Sequence, residues 1–505
     1  MVATPAARTR RSFVQGVATT AAGAAVAMPF VRASSGAPAS VVGAWSAVHA
    51  WPDVAIHLHY LPNGKILTYA DDNRPDGRFG GFSKAFVVSI PQGQAPSSVW
   101  AYVPNDVTNL FCSGHNFLPD GRLFVVGGHR GPDNYGSPNT TIFDYGPYRW
   151  TTRTDAPMAG GRWYASTCLL GSGEVLVLAG SRNGGQDQNP LPQVWQTNHG
   201  GGWRSLTTAL HAGPYYPPLY LKSNGNVAMV GWAPQTLYLN PSGTGKWSPG
   251  PNRNAGTRDY GSSAMYDVDK VIYAGGGLNP TNACETIDLN VPAPAWKYTA
   301  AMAYKRRHLN LTLLPDGKVL ATGGSSSPDN DATLAVTAAE MWDPATGKWT
   351  LLASSTVKRV YHSTALLLRD GRVLSAGGGR PPPSGIGGGV NNENAEIYSP
   401  PYLFKGPRPQ VLASPTVVKY GSTFAIGTTN SADITDVNLV KLGSVTHTFN
   451  MAQRISRLSF ARTSVSSLQV QAPTNPNAAP PGHWMLFVLN RAGVPCVAPV
   501  IQLLP

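Results

Sequence analysis

Apolar and polar positions alternate with period two along much of the chain, in short runs that stop at turn-forming residues, as half-buried strands do and helices do not. One unit shows the pattern best: Phe117-Leu-Pro-Asp-Gly-Arg-Leu-Phe-Val-Val-Gly-Gly128, a turn followed by an apolar strand that ends in two glycines. It returns as Leu313-Leu-Pro-Asp-Gly-Lys-Val-Leu-Ala-Thr-Gly-Gly324 and as Leu367-Leu-Arg-Asp-Gly-Arg-Val-Leu-Ser-Ala-Gly-Gly378. Looser copies begin at Tyr60, Leu170, Leu221 and Met265. Seven copies result, with turn residues at 64, 121, 173, 225, 269, 317 and 371, spaced by 44 to 57 residues. Asp-Gly and Asn-Gly between apolar runs predict hairpins, because both central positions of the tight turn want positive φ.

After most glycine pairs a second half ends in tryptophan: Trp150, Trp203, Trp247, Trp296 and Trp349. Each unit then reads as four short strands, one propeller blade of the kelch repeat length. The expectation is an all-β chain with a seven-bladed kelch-type β-propeller over residues 45–404. Repetition stops after Ser399-Pro-Pro-Tyr-Leu-Phe404. Strand-like runs at Thr423 to Ile426, Val437 to Leu442 and Trp484 to Leu489 predict an immunoglobulin-like β-sandwich over 405–505, joined through Lys405-Gly-Pro-Arg-Pro409.

Composition agrees. Glycine (55) and proline (44) make about a fifth of the 505 residues, and only 13% are charged, which excludes a helical bundle or coiled coil. The 42% of hydrophobic residues excludes general disorder. The net charge of +13 is partly N-terminal: Arg8, Arg10, Arg11 and Arg32 precede or flank a mildly apolar run, followed by Ala37-Pro38-Ala39. That order predicts an export signal over 1–39, and Arg10-Arg11-Ser12-Phe13 fits the twin-arginine pattern. The protein is expected outside the cytoplasm, periplasmic, extracellular or at the cell surface. The remaining basic residues are scattered, so no nucleic-acid partner is expected, and no later apolar stretch is long enough to span a membrane. Four cysteines (Cys112, Cys168, Cys284, Cys496) are too few and too far apart for a disulfide scaffold or a zinc motif.

Propellers host many activities, so function must come from a site. Repeated Ser-x-Asp-x-Gly boxes of sialidase type are not evident. The Asp…Thr-Gly-Lys…Trp unit of quinone-dependent dehydrogenases is approximated only at Asp343 to Trp349 and, more loosely, at Asn240 to Trp247. The informative constellation precedes the apolar strands of three copies: Phe111-Cys112-Ser113-Gly114, Gly161-Arg162-Trp163-Tyr164 and Val360-Tyr361-His362-Ser363. Neighbouring blades present such equivalent positions to one surface around the axis. The C-terminal segment adds Thr446-His447-Thr448. Taken singly, each has a plainer reading: a packing tyrosine with its hydroxyl bonded, a buried thiol, a core histidine.

Together these stretches resemble the galactose oxidase and glyoxal oxidase family of copper-radical oxidases, as does the tail Pro481-Gly-His-Trp-Met-Leu-Phe-Val-Leu-Asn-Arg-Ala-Gly-Val-Pro495. The resemblance covers residues 45 to 505. It implies one copper ion held by Tyr164, Tyr361, His362 and His447, and a Cys112–Tyr164 thioether that serves as a protein-derived radical cofactor. Imidazole and phenolate donors with open positions suit Cu(II). The implied substrates are O₂ and a small primary alcohol, aldehyde or glycan end, oxidised to aldehyde or acid with release of hydrogen peroxide. Tyr361 would accept the hydroxyl proton and the oxidised Tyr164 the carbon-bound hydrogen. Galactose oxidase carries a stacking tryptophan eighteen residues after its radical tyrosine; Arg182 stands there in this chain, and Trp163 is the substitute candidate. The family's sugar-binding arginine falls near Arg253 or Arg258. These departures favour the glyoxal-oxidase-like side. His57 and His59 alternate on one strand and could mimic a metal pair, while His115 and His129 stay unassigned. The protein is expected to be a monomer. The competing class is a non-catalytic kelch propeller that binds cell-surface or extracellular glycan.

Overall fold

The computed structural model describes residues 36–70, 82–131, 135–185, 187–328, 332–379 and 391–504. Residues 1–35 of the expected export signal lie outside these; Ala39, where cleavage is expected, begins the one-turn helix Ala39–Val42. Among the described residues no helix is long and apolar enough to cross a membrane.

The chain is nearly all β. Seven sheets repeat one antiparallel up-and-down order. Their first strands are His57–Tyr60, Asn109–Phe117, Ser166–Leu169, Leu219–Leu221, Ser262–Asp267, Asn310–Leu313 and Ser363–Leu367. Five of the seven neighbouring pairs of first strands lie side by side, Ser363–Leu367 against His57–Tyr60 among them, and the side-chain bonds His57–His115 and Tyr220–Ser263 link the other two, so the series closes on itself as a propeller. All seven turn residues read from the sequence join a first strand to a second. Each has positive φ: Gly64 81°, Gly121 89°, Gly173 84°, Gly225 88°, Asp269 58°, Gly317 81° and Gly371 79°.

The last sheet takes its outer strand, Ala44–Trp45, from the start of the chain, where it pairs with Asn394–Ser399. This closure explains why the last of the seven copies lacks a terminal tryptophan of its own. Trp45 supplies it, donating its indole N–H to the Ala353 carbonyl (2.8 Å). Trp150, Trp203 and Trp247 make the same bond to Val103, Ala156 and Ala209 of the preceding connection. Each indole thus buries an apolar face while its N–H ties one sheet to the next.

The glycines that end the second strands make room. A Cβ on Gly127 would overlap the Arg162 carbonyl of the next sheet, and one on Gly377 the Val54 carbonyl across the closure. The loops before each first strand can therefore crowd toward the axis.

Residues 411–504 form two further sheets, of four and five strands, that contain the expected runs as Thr423–Thr428, Ile434–Lys441 and Gly482–Asn490. One hairpin leaves them: Ser444–Thr446 pairs with His57–Tyr60 and extends the first propeller sheet toward its centre. This segment carries His447.

Candidate metal centre

A single register position builds the centre. Nine residues before each hairpin turn stand Ala55, Cys112, Tyr164, Tyr216, Tyr260, His308 and His362. All seven have positive φ, between 42° and 69°. Such backbone is uncommon outside glycine and costs of order 1–3 kcal/mol per residue. The strain is offset by contacts between neighbours: the amide of Tyr164 bonds the Cys112 carbonyl, that of Tyr216 the Tyr164 carbonyl, and that of His308 the Tyr260 carbonyl, each at 2.9 Å. One residue per sheet is thereby turned inward. One position earlier stand Val54, Phe111, Trp163, Tyr215, Asp259, Arg307 and Tyr361, a second layer over the first.

The C-terminal hairpin completes the group. Its two-residue loop is His447-Thr448, since Thr446 pairs with Phe449. Both loop residues have positive φ, 45° and 75°, where Asn-Gly would be relaxed. A β-branched threonine in that region is a genuine outlier. Strain concentrated on one histidine points to function rather than to packing.

The five candidate residues converge. The hydroxyls of Tyr164 and Tyr361 are in hydrogen-bond contact. The ligand atoms of Cys112, His362 and His447 lie within 4.8 Å of one another, with Cys112 Sγ 3.8 Å from His447 Nε2. Tyr361 stacks on His362 at 3.8 Å between ring centroids, and Tyr164 lies 4.6 Å from His447. All five side chains are buried.

Second hydrogen bonds orient both imidazoles. His362 Nδ1 donates to the Gly379 carbonyl (2.9 Å), which leaves the lone pair on Nε2. The Thr446 hydroxyl gives its hydrogen to the Ile56 carbonyl (2.8 Å), so His447 Nδ1 must donate to Thr446 Oγ1 (2.6 Å). His447 Nε2 therefore faces Cys112 as an acceptor. An imidazole that donates its other N–H is the usual posture of a metal ligand. Burial, then His362, holds the His447 pKa well below the ordinary histidine range, which keeps it neutral. Burial, then Cys112 and Tyr361, pushes the Tyr164 phenol well above its usual value.

The donor set fits a copper ion. No carboxylate is in it, and the two phenols would ionise only beside a cation. Two phenolates then cancel a divalent charge, so a buried site gains no net charge.

Trp163 lies over Tyr164 at 3.9 Å between centroids, tilted by 41°. Arg182 is turned away in an ion pair with Asp187 (2.5 Å). Arg258 is buried in an ion pair with Glu285 (2.6 Å), and Arg253 donates to the Trp232 and Ala233 carbonyls. Cys168 sits in the strand Ser166–Leu169, whereas Tyr164 lies in the loop before it, so the two are not on one strand. All four cysteines are buried and none forms a disulfide. Three residues beside the centre, Tyr216, Tyr260 and His308, escaped the sequence reading. Their signal was the constant offset of nine from the turn.

The comparisons with known proteins follow the same segments. Residues 269–383, which carry Tyr361 and His362, match the family model "Glyoxal oxidase N-terminus". Residues 408–503, which carry His447, match "Galactose oxidase-like, Early set domain". The chain is 28% identical to a galactose oxidase of Gibberella zeae over 94% of its own length and 72% of that protein. It is 28% identical to aldehyde oxidase GLOX of Vitis pseudoreticulata over 79% of its length and 83% of that protein. A solved fungal alcohol oxidase of the AA5 family, in complex with copper, superposes with TM-score 0.82 at 26% identity, covering 92% of this chain and all of that one. Two family models, curated relatives and a solved copper oxidase thus agree in likening the chain to galactose oxidase and glyoxal oxidase.

Proposed function

We propose that the protein is an exported copper-radical oxidase that converts a primary alcohol to an aldehyde, or a hydrated aldehyde to an acid, while O₂ becomes hydrogen peroxide. The convergence of Tyr164, Tyr361, His362, His447 and Cys112 carries this reading. These four oxygen and nitrogen ligands would hold copper, which supplies a Lewis acid and one electron equivalent when bound. The protein supplies the rest. Tyr361, through its phenolic oxygen, takes the substrate's hydroxyl proton. Tyr164, joined to Cys112 by a thioether that makes its ring easier to oxidise, takes the carbon-bound hydrogen and stores the second electron. Two protons and two electrons leave the substrate and are delivered to O₂, so the reaction balances.

Trp163 covers Tyr164 and excludes water from the oxidised ring. Its indole N–H is buried with no hydrogen-bond partner among the described residues, so a substrate oxygen there would satisfy it. The aromatic walls, with Arg258 held by Glu285 instead of reaching for a sugar, favour small aldehydes, simple alcohols or glycan ends as substrates.

Copper loading in air should lower the intact mass by two hydrogens, and Cys112→Ser should abolish that loss. Wild-type protein that keeps both hydrogens and releases no peroxide from a panel of alcohols and aldehydes would leave the glycan-binding propeller as the better reading.

A further inference from the structure

Behind the centre lie three histidines for which the reaction above has no use. His57 and His59 stand on the first strand of the opening sheet and His115 on that of the next, all fully buried. They form one hydrogen-bonded row that starts at the backbone of Cys112, and its direction follows from a single fact. The Cys112 N–H can only donate, so His57 Nε2 accepts it (3.1 Å). Burial holds all three imidazoles below the usual histidine range, His115 down to about 3, so each carries one hydrogen. That of His57 is then on Nδ1 and goes to His115 Nε2 (3.1 Å). That of His115 goes from Nδ1 to Ser444 Oγ (2.7 Å), and the Ser444 hydroxyl donates to His59 Nδ1 (2.9 Å).

The row crosses three segments of distant sequence: the opening sheet, the sheet of Cys112, and the hairpin that carries His447. His57 also stacks on Tyr69 at 4.4 Å between ring centroids, and the Tyr69 hydroxyl meets Ser113 Oγ at 3.1 Å. Residues 112 and 113 are thus gripped from one side. Because the ring nitrogens facing the row are committed to it, a second metal pair at His57 and His59 is not what this geometry builds.

Cys112 needs such a grip. Its φ of 61° is unfavourable for any residue but glycine, and its N–H is buried, so losing the acceptor would leave a donor unsatisfied. We propose that the row His57, His115, Ser444, His59 is a positioning device for Cys112. It holds the thiol where it bonds to Tyr164 and keeps it in register with His447. The inference rests on the thioether reading of the preceding section.

The test follows thioether formation by intact mass against time after copper addition in air, with bound copper measured separately. His57→Phe keeps the stack on Tyr69 and removes the acceptor. It should slow the loss of two hydrogens by about tenfold or more, on the scale of an unsatisfied buried donor, while copper content stays at the wild-type level. His57→Gln, whose amide oxygen can accept from the Cys112 N–H, should recover most of that rate. Ser444→Ala breaks the row farther out with a minimal change of volume, and should slow cross-linking with copper binding intact even if His57→Phe does not fold. Wild-type rates in both His57→Phe and Ser444→Ala, or a His57→Gln as slow as His57→Phe, overturn the proposal. Wild-type protein that never loses two hydrogens overturns the thioether reading itself, and the positioning role with it.

Discussion

Tyr164→Phe should leave a folded protein whose peroxide release falls by about a thousandfold or more, roughly 4 kcal/mol of lost transition-state stabilisation. The fold should hold because the ring contacts survive: Trp163 at 3.9 Å, Tyr216 at 4.5 Å and His447 at 4.6 Å between centroids. The hydroxyl is what disappears, and with it the proposed copper ligand and oxidisable phenol. Copper should still bind, more weakly, through the remaining three ligands, yet the absorption of an oxidised tyrosine should be missing. Tyr216→Phe is the matched control. Tyr216 occupies the same register position one sheet on, and its hydroxyl donates to the Ser113 carbonyl (2.8 Å) rather than to the donor set. That variant should lose about a hydrogen bond's worth of stability, of order 1 kcal/mol, and keep most of its activity. Peroxide release, copper content and the unfolding midpoint of both variants decide the matter. A Tyr164→Phe protein with more than a tenth of wild-type activity would remove Tyr164 from the chemistry.

Much of this architecture was legible in the sequence because repetition exposes it. The hairpin turns are local, and Asp-Gly or Asn-Gly encodes them within a few residues; even Asp269, without its glycine, takes the positive φ of its six counterparts. Equivalent positions in different copies then have to meet at the axis, which is why Cys112, Tyr164 and His362 group together in the sequence alone. Two things were less accessible. The closing strand Ala44–Trp45 pairs with residues some 350 positions away, a contact set by ring closure and by no local signal. The histidine row is likewise tertiary: His57 and His59 read as an alternating pair, but nothing near them names Ser444 as the link between His115 and His59. Arg253 and Arg258 show a third limit. An arginine offered as a substrate contact looks, in sequence, the same as one whose guanidinium is already engaged within the fold.

That engagement carries the largest effect expected on stability. Glu340→Ala should destabilise the protein by about 3–5 kcal/mol, the cost of stranding a buried charge. Glu340 and Arg306 pair at 2.6 Å with both side chains almost fully buried. Glu340 also accepts from the Ala303 amide (2.6 Å), and Arg306 donates to the Gly323 and Ala338 carbonyls. The arrangement recurs as Arg258 with Glu285 (2.6 Å) and Arg359 with Glu396 (3.4 Å). In each case the arginine lies two or three residues before the inward-turned residue, Tyr260, His308 or His362. The pair therefore clamps the strained loop that presents that residue to the axis. The alanine variant leaves Arg306 charged and the Ala303 amide unsatisfied, so the penalty exceeds the worth of the pair itself. Glu340→Gln should cost clearly less, because an amide oxygen can still take the Ala303 N–H. The fold already tolerates that solution once: Gln193 stands opposite Arg162, and burial there lowers the guanidinium pKa to about 9. The loop of His308 packs against Tyr361, with rings 5.2 Å apart, so slackening it should also disturb the residue proposed as base. Denaturant midpoints of wild type, Glu340→Gln and Glu340→Ala should fall in that order. An alanine variant as stable as wild type, or more stable than the glutamine variant, would show that the carboxylate is not what holds the loop.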